Sequence, residues 1–168
     1  MESRIHALKK ELNTTKQLWW LHDSYWHATM IRELGEERAN QLNLEANERF
    51  FRKYTLMLLR SKAITRPTNI QELMDIFKRL WTDCFFDDLY VNDTITFEGN
   101  TATWTGCHCH AYDSLTNAKM TDNYACGCQA IRTGAMKALR LNPVHSIKKS
   151  LIRGDDHCVI TTSFEPKA

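Results

Sequence analysis

Between residues 14 and 66 the chain has a single glycine, Gly35, and no proline. So long a stretch without a backbone breaker restricts the first part of the molecule to long helices. Aromatic and apolar residues crowd one side of 14–34. After Gly35 the segment EERANQLNLEANERFFRKYTLMLLRSKA resumes with Ala39, Leu42, Ala46, Phe50, Tyr54 and Met57 at spacings of three and four, with Leu58 beside them. That periodicity makes one helix face. Pro67 disfavours helix at Arg66. Asn69, with Glu72 three residues later, is a capping-box-like start for a helix that runs to about Cys84.

The second half changes character. DLYVNDTITFEGNTATWTGCHCHAY holds short β-rich runs split by ND and EGN, which punctuate hairpins. CQAIRTGAMKALRL returns to a helical pattern over about 128–140, with Ile131, Ala135, Ala138 and Leu139 on one side. Asn142-Pro143 stops it. HCVITTSFE, near 157–164, alternates as a final strand. The expected architecture is α+β: a single domain over 1–168, with a helical half of about 1–86 and a sheet-containing half of about 87–168. The helical half packs on a small antiparallel sheet that carries one further helix.

Net charge is +2, with charged residues at 25 % and dispersed, so nucleic acid and membrane surfaces are not indicated as partners. No apolar run reaches the roughly 18 residues of a membrane helix, and the N-terminus lacks an apolar signal core. The chain reads as soluble and cytoplasmic, with room for a homo-oligomer. In a reducing cytosol its six cysteines are poor candidates for structural disulfides.

Four of those cysteines lie in GCHCHAYDSLTNAKMTDNYACGCQ, as two Cys-x-Cys pairs. On a strand, Cys107 and Cys109 would share one face, with His108 and His110 on the other. A hairpin turning near 117–118 would bring that pair opposite Cys126 and Cys128 in a zinc-like tetrad. Alternatively, Cys126 and Cys128 stand at the first turn of the 128–140 helix. There Gly127 allows a tight turn, and the helix dipole lowers a thiol's pKa. The second arrangement makes either sulfur a nucleophile or a metal ligand. Cysteines 107, 109, 126, 128 and 158 are the candidate metal ligands, with three of them expected to converge. Zinc is the cofactor this implies, and no nucleotide is. Buried sulfur without chemistry stays open, and Cys84, beside Phe85, is assigned to the core.

Histidine adds candidate bases: His157 next to Cys158, and His108 or His110. In LWWLHDSYWHA, Trp19, His22 and Trp26 are expected to form one wall of a small-molecule pocket facing the sheet. Arg132, one turn after Cys128, is a candidate partner for a substrate carboxylate.

LWWLHDSYWHATMIRELGEERANQLNLE, CGCQAIRTGAMKAL and LNPVHSIKKSLIRGDDHCVITTSF together resemble the L-2-amino-thiazoline-4-carboxylic acid hydrolase-like family over roughly residues 18–165. The closing pattern is Asn-Pro, a Gly-Asp turn, Cys158 and Phe164. It is also similar to 4-vinyl reductase-type small-ligand-binding domains. The resemblance implies a ligand-binding-domain-like fold and hydrolysis of a C–N bond in a cyclic amidine or amide, such as a thiazoline carboxylate. Zinc ligands of that wider group would include a cysteine where this chain has Ser150, and an acidic residue among 147–149, where it has Ile147, Lys148 and Lys149. Two other function classes stand beside the hydrolase. One is a non-catalytic binding or sensor module with a Cys/His metal centre. The other is a protein whose thiols handle metal or redox equivalents.

Overall fold

The computed structural model describes residues 2–85, 93–117 and 124–166. Gly35 separates two long helices, α1 (Glu2–Leu34) and α2 (Glu36–Arg60). Its φ of 79° lies where a side chain would be strained, so the glycine at this corner is a backbone requirement. Helix α3 (Ile70–Cys84) starts as its sequence signals. The Asn69 side chain accepts from the Glu72 N–H at 2.9 Å, and the Glu72 carboxylate accepts from Thr68 N–H at 2.7 Å.

Strands β1 (Thr94–Glu98) and β2 (Thr101–Gly106) form a hairpin, followed by α4 (His110–Asn117) and α5 (Cys128–Leu139). Strands β3 (Val144–Lys149) and β4 (Cys158–Ser163) complete an antiparallel sheet of order β1-β2-β4-β3. The described elements have the expected α+β layout. Every residue of β1, the edge strand, is exposed. Along β4 burial alternates, so Cys158, Ile160 and Thr162 face the core.

Two elements depart from the sequence reading. The 105–112 run is not one strand: β2 ends at Gly106 and α4 begins at His110, which separates Cys107 from Cys109. The pairing of Gly106 with Cys158 marks where β2 stops. Segment 144–149, to which the sequence pattern assigns no element, is strand β3. The 88–92 part of the expected strand region, the expected turn at residue 118 and the His110 side chain fall outside what is described.

The core lies between the sheet and helices α2, α3 and α5. Leu73, Leu80, Ala135 and Met136 are fully buried there, with Ala102 and Phe164 from the sheet side. The half-buried Cys84 packs against this cluster, as assigned, and burial pushes its thiol up to about 11. Helices α2 and α5 cross backbone to backbone. A Cβ built on Gly134 would sit 2.2 Å from the Glu48 carbonyl oxygen and 3.0 Å from the Arg52 nitrogen. No rotamer change relieves a clash with backbone. Gly134→Ala is therefore expected to cost about 2 kcal/mol, lowering the melting temperature by roughly 5 °C in a thermal scan. An unchanged midpoint would mean that the two helices separate freely.

Candidate functional site: a cluster of four thiols

Helix α4 starts at one sheet end, and Cys109 caps it. The Cys109 carbonyl accepts from the Asp113 N–H at 3.0 Å, and its sulfur faces the Ala111 and Tyr112 N–H groups. Helix α5 starts at the same end. The Ile131 N–H bonds to the Gly127 carbonyl at 3.0 Å, so Cys128 is the first helical residue and Cys126 lies just ahead of the turn. Cys158 enters from β4, its sulfur accepting from the Leu151 N–H at 3.4 Å.

Cys109, Cys126, Cys128 and Cys158 are thus close enough to shift one another's protonation. The expected convergence occurs, with one correction. Cys109 takes part through a helix cap, while Cys107 is exposed at the end of β2.

The four sulfurs are not equivalent. Burial and the neighbouring Cys128 charge push the Cys109 thiol up to about 12. Burial also raises Cys158. Cys126 donates its S–H to Cys128, which holds the Cys126 proton in place. Cys128 goes the other way, lowered to about 6. The Cys126 hydrogen bond is the main cause, and the Arg132 charge and hydrogen bond assist against desolvation. Of the four sulfurs, Cys128 is thus the one whose surroundings favour the thiolate.

Arg132, the candidate partner of a substrate carboxylate, is buried, at 3 % exposed. Its guanidinium lies 4.8 Å from the Trp81 ring centroid, 5.6 Å from Trp104 and 5.7 Å from Phe77. It donates to the Cys128 carbonyl at 3.3 Å, and its Nε has no hydrogen-bond partner among the described residues. Three aromatic faces and a thiolate replace the water that a buried cation loses. Asp93 lies near as well, bonded to Trp104 Nε1 at 2.9 Å, and burial raises its carboxyl to about 6.

Among the described residues, no group of three or more His, Cys, Asp or Glu side chains is placed to hold a metal ion. Arg132 already supplies the positive charge that a metal would bring to Cys128. Ser150, where the wider group would have a ligand, is 2 % exposed and bonded through its N–H to Asp155 at 2.6 Å.

Cys126 lies on the wall of a cleft of about 820 Å³ between α2, the start of α5 and the β3–β4 connection. Tyr124, Gln129, Arg49, Arg52 and Arg153 also line it, together with Glu45 and Glu48. This cleft was missed in sequence. Its arginines sit on two distant segments, and no local spacing joins them.

The tryptophan wall is absent. Trp19 and Trp26 are each 60 % exposed, and His22 is exposed and stacked beside Trp19. Their neighbours turn inward instead: Trp20 bonds to the Cys84 carbonyl at 2.9 Å and stacks on Phe85, and His27 is buried against Tyr124. His157 pairs with Asp156 at 2.6 Å, and His108 is exposed. Among the described residues neither histidine is hydrogen-bonded to a cluster thiol.

A helical layer on a four-stranded antiparallel sheet, with thiols gathered where two helices start, defines the class of fold. Among solved structures the chain is similar to the crystal structure of a trafficking protein particle complex subunit 3 from Naegleria fowleri covalently bound to palmitic acid. The TM-score is 0.55 at 14 % identity, covering 92 % of this chain and 98 % of that one, a likeness of fold. No family model matches the chain, and no curated protein matches it in sequence. Among the described residues no helix is long and apolar enough to cross a membrane.

Proposed function

We propose that the protein is a thiol-dependent hydrolase of a small cyclic amidine or amide, with Cys128 as nucleophile. What supports this is the setting of Cys128 at the start of α5: Cys126 donates to its sulfur and Arg132 lies beside it, and both favour the thiolate. In the first step the Cys128 sulfur bonds to the amidine carbon. The C=N electron pair moves to the ring nitrogen, which takes the Cys126 proton. Collapse of this adduct breaks the ring C–N bond, the leaving nitrogen taking a second proton from the exocyclic amino group; water then adds to the remaining C=N carbon and displaces Cys128 as thiolate, its spare proton returning to Cys126. Arg52 and Arg153 on the cleft wall suit a carboxylate on the substrate. The resemblance to thiazoline carboxylate hydrolases points the same way.

The test is alkylation by iodoacetamide, read by peptide mass against pH. A thiolate whose pKa is depressed reacts fully above that pKa and loses reactivity as pH falls through it. Labelling of the 124–132 region is expected to reach half its plateau near pH 6. A half-point above pH 8 would remove the nucleophile from the proposal.

A second reading follows from the structural neighbour, which is covalently bound to palmitic acid. A reactive thiol here would accept an acyl group as a thioester. The charged cleft wall suits a short polar ligand better than a long acyl chain. A hydroxylamine-sensitive acyl mass on Cys126 or Cys128 of the purified protein would favour this second reading.

A further inference from the structure

Cys126 and Cys128 flank a single residue at the start of α5. Gly127, between them, has helical backbone at φ −70° and ψ −12°. Such backbone sets α-carbons two residues apart at about 5.5 Å, inside the roughly 4.4–6.8 Å that a disulfide spans. Within a helix, side chains two apart point to opposite sides. Cys126 lies ahead of the helix and escapes that constraint. Its sulfur accepts from the Cys128 N–H, and its S–H is directed at the Cys128 sulfur. The backbone and the side chains thus hold these two sulfurs as neighbours.

The surroundings suit a small oxidant. Cys126 is on the wall of the cleft of about 820 Å³, beside Tyr124, Ala125 and Gln129, and the adjoining Cys128 is half-buried. A reactant little larger than water passes such a wall where a bulky one stops. Arg132 lies beside the Cys128 sulfur, placed to stabilise negative charge that develops on an oxygen leaving it. The other two cluster sulfurs are anchored elsewhere. Cys109 faces the Ala111 and Tyr112 N–H groups, and Cys158 accepts from the Leu151 N–H at 3.4 Å.

We propose that Cys126 and Cys128 are also a redox pair whose substrate is hydrogen peroxide, closing to a disulfide that takes the nucleophile out of use until a small dithiol reopens it. The Cys128 thiolate attacks one peroxide oxygen. An S–O bond forms, the O–O bond breaks and hydroxide leaves, so the sulfur loses an electron pair and the peroxide gains it. The Cys126 sulfur then bonds to the Cys128 sulfur. The S–O bond breaks, and the departing hydroxide takes the Cys126 proton and leaves as water. A dithiol reverses this by two exchanges, itself becoming a disulfide and returning Cys126 as thiol and Cys128 as thiolate. The role of Cys128 rests on the nucleophile proposed above, but the disulfide is read without turnover.

Peptide mass tests the inference on the full chain. Reduced protein, freed of reductant, is treated at neutral pH with about one equivalent of hydrogen peroxide and then alkylated with iodoacetamide. The peptide holding Cys126 and Cys128 is expected to be unalkylated and about 2 Da lighter than its reduced form. Cys84 and the exposed Cys107 should still be alkylated. Dithiothreitol before alkylation should restore both sites. Cys126→Ala is expected to stop at the sulfenic acid, captured on Cys128 by dimedone, and no adduct there would overturn the assignment of Cys128 as the attacking sulfur. Full alkylation of both cysteines after about ten equivalents of peroxide overturns the inference. So does a link from Cys128 to Cys109 or Cys158, or oxidation of Cys107 ahead of the pair. A protein that hydrolyses nothing yet forms this disulfide keeps the redox pair and loses the hydrolase. One whose Cys128 alkylates near pH 6 but forms no disulfide does the reverse.

Discussion

Cys128→Ser is expected to abolish hydrolysis, by at least about a thousandfold, while the melting temperature moves by no more than roughly 2 °C. The two outcomes separate because the sulfur's contribution is chemical. A serine hydroxyl at the start of α5 fills nearly the same space and still accepts from Cys126 and Arg132. It does not ionise near neutral pH, so the site loses its charge and its nucleophile together. Cys126→Ala is the matching control. It keeps the nucleophile but removes the hydrogen bond that does most to lower Cys128. Its labelling profile should therefore move to higher pH with the plateau retained. Turnover by Cys128→Ser within tenfold of wild type would end the covalent reading. A large fall in melting temperature would show that the cluster is mainly structural.

Arg132→Met is expected to move the Cys128 half-point upward by more than one pH unit, with labelling at pH 6.5 falling roughly tenfold. The sign follows from the two causes that Arg132 supplies, its charge and its hydrogen bond, both of which favour the thiolate. The fold should tolerate the change. Methionine matches much of the arginine stem and packs well against Phe77, Trp81 and Trp104. It also removes a buried cation whose Nε lacks a partner among the described residues. Replacing a buried charge by an apolar side chain of similar volume is often neutral or stabilising. Arg132→Lys should behave differently: charge is kept, but the planar group that stacks between three rings is lost. The lysine variant should therefore label at lower pH than the methionine variant but melt at a lower temperature. Identical pH profiles for wild type and Arg132→Met would assign the lowered pKa to Cys126 and the helix start alone.

The helices were legible because their boundaries rest on single residues with fixed backbone needs. Gly35 and Pro67 mark breaks, and Asn69 with Glu72 marks a start, whatever the tertiary context. The starts of α4 and α5 were harder. Cys126 and Cys128 could be placed at a helix start because CQAIRTGAMKAL is periodic. Cys109 was read on a strand, since alternation of Cys and His over four residues looks the same in either setting. The tryptophans failed for a related reason. Residues 18–26 carry apolar groups on every side of α1, so periodicity does not say which side faces the body. Moving one residue along, from Trp19 to Trp20, turns the helix by 100° and exchanges inside for outside. The aromatic cage around Arg132 was out of reach, because its rings come from α3 and β2 and its cation from α5.

The open flank of the sheet bears on how the protein behaves in a crowded solution. Among the described residues no strand pairs with the outer side of β1, and Ile95 and Phe97 are exposed there. Glu98 is its one charged residue, and the strand holds no lysine, proline or bulge of the kind that usually deters self-association. Such an edge is a template for further strands once molecules collide often enough. Colloidal stability, more than folding free energy, then sets the concentration at which this protein can be kept. A lysine at position 96, whose side chain points away from the core, would be the economical place to raise it.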